Sequence, residues 1–192
     1  MCIRDSSSMD DEATFRDFAD KLDTEYERLF DGERIDIACH STGALVSRAW
    51  LALKHERDRR RFLPNRCPVH RLLMFAPANF GSDLAGMGQS FLGKFRTTFF
   101  NTNSFKEDFM ESGKLVLQGL EPASPFQWEL SGLDLHPAVE DGSYLDHRPD
   151  VNEEQRYYPF VIAAGEGYGG IEAKIVKKRN KLGTDGTVRI SG

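Results

Sequence analysis

Phe15, Phe18, Leu22, Tyr26 and Leu29 recur at helical spacing through residues 10–31, with mostly charged residues between them. Apolar side chains three and four apart share one helix face, so this stretch predicts an amphipathic helix. Asp10 or Asp11 is expected to cap its start and Gly32 to end it. Residues 34–39 predict a short buried strand. A second helix is predicted over 42–56, where Leu45, Ala49 and Ala52 line one side and Val46, Trp50 and Leu53 the adjacent side. So wide an apolar arc belongs to a largely buried helix. Residues 69–76, Val-His-Arg-Leu-Leu-Met-Phe-Ala, predict a second strand that Pro77 ends. Strand, buried helix, strand is a βαβ unit, with parallel strands and a right-handed crossover.

The pattern then changes. Gly81, Gly86, Gly88 and Gly93 interrupt the chain, and Phe91, Phe95, Phe99, Phe100, Phe105 and Phe109 crowd in after the break. Residues 80–135 are read as short helices on one face of the sheet, a cap-like or lid-like insertion. Within them, Ser124-Pro125 has the form of an N-cap followed by proline at the first helical position. The phenylalanines are read as helix core, since Phe91, Phe95 and Phe99 follow helical spacing; lining an acyl-chain pocket or forming a lid over Ser41 is the alternative. Residues 136–156 are acidic and poor in apolar side chains, which predicts a surface loop. Residues 157–164 predict a third strand, and Gly165 to Gly170 a glycine-rich loop after it. These glycines are no dinucleotide fingerprint, because no G-x-G-x-x-G opens a helix there.

Composition narrows the classes. The 192 residues suit one domain with a core of its own, and a hydrophobic fraction of 40% makes it globular. A net charge of −5 argues against a nucleic-acid partner, for which a basic stripe is expected. Arg57 to Arg61 with Arg66 is read as the solvated end of a helix. Cys2, Cys39 and Cys67 are too few and too widely spaced for a disulfide framework. No run of 18 apolar residues spans a membrane, and no spacing of His, Cys and Asp matches a metal site.

Chemistry concentrates where the first strand meets the second helix, at Cys39-His40-Ser41-Thr42-Gly43. A hydroxyl on a sharp strand-to-helix turn stands clear of the sheet, and the helix N-terminus behind it offers N–H donors and positive potential. Serine is a weak nucleophile until a base takes its proton and donors receive the oxyanion. The flanks of so tight a turn must be small, as Gly43 is at +2 and Cys39 is at −2.

The stretch Ile37-Ala38-Cys39-His40-Ser41-Thr42-Gly43-Ala44-Leu45-Val46 resembles the nucleophile elbow of α/β-hydrolase-fold lipases and esterases, with cysteine where a glycine is usual at −2. Leu73 to Ser82 is similar to the strand and loop that follow the elbow in lipases. Pro125-Phe126 resembles a segment of bacterial and PGAP-like lipases, and Lys181 to Val188 resembles the acid-bearing Asp-Gly loop. The matches run in order over roughly residues 12–192. The resemblance implies a partial α/β-hydrolase fold, a mostly parallel sheet with flanking helices, and a carboxylic ester hydrolase working through an acyl-enzyme. Ser41 would be the nucleophile, the Thr42 backbone N–H an oxyanion donor and Asp185 the triad acid. Asp83 occupies a place that some lipases use for the acid instead.

The family order is Ser, acid, His, yet His40, His55, His70, His136 and His147 all precede Asp185. His136 and His147 are read as surface residues and His40 as a buttress of the turn. The base is therefore expected beyond Gly192, and the second oxyanion donor before residue 10. On this reading residues 1–9 are a non-native leader and 10–192 an incomplete domain, close to inactive by itself. The implied substrate is a small-molecule or lipid ester, with peripheral membrane contact open to it. No cofactor and no metal is implied. An acyltransferase on the same fold and a non-catalytic binding scaffold are the alternatives.

Overall fold

The computed structural model describes residues 13–60, 66–82, 114–135, 144 and 152–163. Helix α1 is Phe15–Phe30. Its cap is Thr14, not Asp10 or Asp11. Thr14 is extended, its hydroxyl accepts from the Asp17 N–H, and the Asp17 carboxylate accepts from the Thr14 N–H at 2.7 Å. This reciprocal capping box satisfies two otherwise orphaned donors. The Thr14 hydroxyl also donates to Asp17 Oδ2 at 2.6 Å, and this bond, with the one from the Thr14 N–H, holds the Asp17 carboxyl below the ordinary carboxylate value. Asp31 and Gly32 close the helix, both at positive φ.

The buried stripe of α1 is Phe15, Ala19 and Tyr26, with Leu22 and Phe30 beside it, while Phe18 and Leu29 face outward. The expected apolar face is thus rotated. Phe15 stacks on Phe126 at 4.8 Å, and Tyr26 packs against Trp50.

Strand β1 is Ile35–His40 and helix α2 is Thr42–Arg60, one turn longer than its apolar pattern predicts. Ala44, Leu45, Ala49, Trp50 and Leu51 are buried, as the wide arc requires. The extra turn is held by charge. Arg57 pairs with Asp20 and Asp23 of α1, and Lys54 pairs with Glu27 at 2.6 Å. Arg57 is therefore a part-exposed clamp between helices, while Arg60 and Arg66 are exposed as a solvated end requires. Trp50 adds an indole N–H bond to Asp23 at 2.7 Å.

Strand β2 is Val69–Phe75 and strand β3 is Tyr158–Ile162. The sheet order is β1-β2-β3, parallel throughout, with Cys39 opposite Met74 and Met74 opposite Val161. The expected βαβ pairing and third strand are both present. β1 alternates half-buried and exposed residues instead of being buried on both faces. Val69, Leu72 and Met74 are buried in the core with the helices, while Phe75, Phe160 and Ile162 remain exposed among the described residues.

Helices α3, Lys114–Leu120, and α4, Pro125–Leu135, follow β2. The Ser124 hydroxyl accepts from the Gln127 N–H and donates to the Gly119 carbonyl, so the Ser-Pro start works as its sequence predicts. The 136–156 stretch is not all surface. Tyr144 is buried in the core, its carbonyl accepts from Tyr157 N–H, and its hydroxyl lies near Asp58 and the Arg66 carbonyl.

Candidate active site

β1 ends at His40, and the next residue turns the chain. Ser41 has φ +53°, a left-handed conformation that costs a non-glycine residue about 1–2 kcal/mol. It is 4% exposed. Its N–H donates to the Phe75 carbonyl at 3.0 Å, which carries the β1–β2 ladder one residue past the strand. Its carbonyl accepts from the Ala44 N–H and from the Ala78 N–H, each at 3.2 Å. The strained residue is therefore held by β2, by the first turn of α2, and by the loop after β2.

The cysteine at −2 fits this turn. A Cβ placed on Gly43 would stand 3.4 Å from Cys39 Cβ, in van der Waals contact, so the two positions face each other. Burial pushes the Cys39 thiol up to about 11. It is a protonated, weakly reactive thiol at neutral pH and no competitor to a serine.

Thr42 opens α2, and the first four N–H groups of a helix have no partner within it. A trans peptide sets its N–H opposite its carbonyl. With the Ser41 carbonyl turned onto Ala44 and Ala78, the Thr42 N–H points the other way. No acidic residue lies in the first turn of α2 to offset its positive end.

Of the histidines, His40 is exposed at the end of β1. His55 packs edge-on against Tyr144, about 20 Å along α2 from Ser41 at the usual helical rise. His70 lies at the amino end of β2 with Nδ1 3.4 Å from Asp36. Asp185, the alternative acid Asp83, His136, His147 and the phenylalanines from Phe91 to Phe109 lie outside the described residues.

One group of polar residues behind the turn was not singled out from sequence. Arg48 is buried in α2 and donates through Nε to Asp134 Oδ2 of α4 at 2.8 Å, and Nη2 stands 2.6 Å from the same oxygen. Its Nη1 donates to Asn79 Oδ1 at 3.0 Å. Burial pushes the Asp134 carboxyl up, against the pull of Arg48. Burial raises the Tyr157 hydroxyl too, aided by the nearby Asp134 charge. A lone arginine inside an apolar helical arc was the available signal, since arginine is seldom buried unless paired.

Three parallel strands with helices packed on them make a partial α/β fold of the α/β-hydrolase type. No family model matches the chain, and no curated protein matches it in sequence. Solved structures do. Phospholipase PlaB from Legionella pneumophila superposes with a TM-score of 0.64 at 28% identity, over 97% of this chain and 35% of that one. The same phospholipase in complex with thio-NAD gives 0.60 at 26% identity, over 97% and 34%. Bacillus licheniformis lipase BlEst2 in its mature form gives 0.47 at 16% identity, over 93% and 60%. The chain thus spans about a third of the length of the phospholipase.

Proposed function

We propose that the protein is a carboxylic ester hydrolase acting on lipid esters, with Ser41 as nucleophile and the Thr42 N–H as one oxyanion donor. The left-handed Ser41, buried and held from three sides, carries this reading, because backbone strain that the surrounding structure holds in place clusters at active sites. The likeness to a phospholipase supports the substrate class.

In this mechanism Ser41 Oγ attacks the ester carbonyl carbon while a histidine that follows Asp185 in chain order takes the serine proton. Asp185 orients that histidine. The carbonyl oxygen becomes an oxyanion and receives the Thr42 N–H. Collapse breaks the C–O bond, the alcohol leaves with the proton from histidine, and water then releases the acyl group by the reverse sequence.

The test is labelling of the full-length protein with a fluorophosphonate, alongside hydrolysis of a p-nitrophenyl ester. Label is expected on Ser41, and Ser41→Ala should lose the label and on the order of a million-fold in kcat. Unchanged hydrolysis by Ser41→Ala overturns the proposal. Acyl transfer to an added alcohol without hydrolysis would make the protein an acyltransferase, and no label with no turnover a binding scaffold.

A further inference from the structure

The orientation of the Ser41–Thr42 peptide depends on a contact that neither residue makes with its own side chain. One of the two bonds to the Ser41 carbonyl, from Ala44 N–H, belongs to the first turn of α2 and moves with that helix. The other, from Ala78 N–H at 3.2 Å, arrives from the loop after β2. Because the peptide is a rigid trans unit, the loop that grips its carbonyl also sets the direction of its N–H.

That loop is held at several points. Ala76, at φ +42°, donates its N–H to the Ile162 carbonyl at 2.7 Å. Ser82 N–H donates to the Leu120 carbonyl at 2.8 Å. Gly81, at φ +82°, is packed so closely that an added Cβ would stand 2.6 Å from the Leu120 carbonyl oxygen. These anchors lie at the loop's two ends. Ala78 itself accepts from the Gly81 N–H at 2.9 Å, and next to it the Asn79 side chain adds a second anchor, its Oδ1 accepting from Arg48. Arg48 is itself fixed, since Asp134 holds its guanidinium through Nε and Nη2. A planar fork bound at one edge presents its remaining donor in a set direction.

We propose that Arg48 and Asn79 are positioning residues: they hold the Ala78 N–H on the Ser41 carbonyl and so aim the Thr42 N–H at the oxyanion. This rests on the assignment of Ser41 as nucleophile and Thr42 N–H as oxyanion donor. A pair that only joined α2 to α4 would need the Arg48–Asp134 contact alone. The buried Nη1 must be paired somewhere, and its pairing with the residue beside Ala78 is what couples the ion pair to the loop.

Asn79 is the residue to change, because Arg48 and Asp134 then stay paired. In the full-length protein, with a p-nitrophenyl ester as substrate and below the unfolding temperature of every variant, Asn79→Leu should lower kcat about tenfold with KM within twofold. Complete loss of a donor costs about 10²–10³, so a misaimed one should cost less. Asn79→Asp keeps an acceptor for Arg48 and should restore kcat to within threefold of wild type. Affinity for a trifluoromethyl ketone, which forms a tetrahedral adduct on serine, should fall with kcat in Asn79→Leu. Asn79→Ala serves where Asn79→Leu does not fold. Wild-type kcat in Asn79→Leu and Asn79→Ala overturns the inference, as does a change in KM alone or equal loss in Asn79→Asp and Asn79→Leu. In those cases an inactive Ser41→Ala leaves the nucleophile assignment standing. Full activity in Ser41→Ala overturns both.

Discussion

The two ends of the β1–β2 pair are built by different means. At the carboxyl end the chain is strained and backbone-bonded: Ser41 and Ala76 are left-handed, Ser41 is buried, and backbone N–H groups run from Ser41 to Phe75, from Ala78 to Ser41 and from Ala76 to Ile162. At the amino end the register shifts between Ile35 and Asp36, and charged side chains take over. Asp36 lies near His70 and Arg71, and Arg34 reaches the carbonyls of Val69, Glu153 and Arg156. The side chains of Asp36 and His70 there are 47% and 39% exposed. Among the described residues, the richer set of titratable groups lies at the amino end. In open α/β sheets ligands bind at the carboxyl ends of the strands. Here two left-handed non-glycine residues, Ser41 and Ala76, lie at that end.

The largest effect should come from the buried pair behind the strained end. Arg48→Met leaves Asp134 buried without its cation and should cost about 3–5 kcal/mol in urea unfolding. Arg48→Met combined with Asp134→Leu should recover most of that stability, since an apolar pair often replaces a buried ion pair at little cost. If Arg48 positions the loop, kcat should stay low in the double variant, which would separate stability from aim at this end of the sheet.

Next in size is the strain itself. Ser41→Gly relieves a left-handed non-glycine residue and should raise stability by about 1 kcal/mol while abolishing hydrolysis. A loss of stability on that change would mean that Ser41 is not strained. Away from both strand ends, Thr14→Val removes the capping box of α1 and should cost about 1 kcal/mol. It should also flatten the acid limb of the stability curve. The folded-state value of Asp17 is lowered from 3.8, so its contribution is complete above that value and is lost as pH falls through the lowered one. Urea midpoints followed from neutral pH down through the carboxylate range check both statements. The smallest effect belongs to the charged end. Asp36→Asn should change stability by about 0.5 kcal/mol or less, as exposed pairs do, and leave kcat unchanged. A large loss of activity there would break the contrast between the two ends.

Much of this architecture is legible in the chain. The strand–helix–strand unit follows from two short apolar runs around a wide apolar arc, and its parallel pairing follows from the crossover helix. The Ser124-Pro125 start of α4 is legible because a cap is a local device. The cap of α1 is not: Asp10, Asp11 and Thr14 are all capable residues, and only the residue three positions on distinguishes them, through the carboxylate of Asp17 returning to Thr14. Nor was the buried face of α1 legible in detail, because Phe18 and Leu29 satisfy the same periodicity as Phe15 and Tyr26. Packing against Phe126 and Trp50 selects among them. Tyr144 was hidden in an acidic stretch whose composition says surface, although the residue itself closes the core beside Cys67 and Tyr157.

The sequence by itself determined the turn at Ser41, because strand propensity, a small residue at +2 and a helix start are all local and all present within one short stretch. Only the tertiary structure decided what holds that turn. The contacts from Phe75, Ala78, Asn79, Arg48 and Asp134 join residues far apart in the chain, through carbonyls, amides and one guanidinium. Their partners depend on the register of β1 against β2 and on where α4 comes to rest. Periodicity carries neither piece of information, because each arises when separately predictable elements are brought into contact.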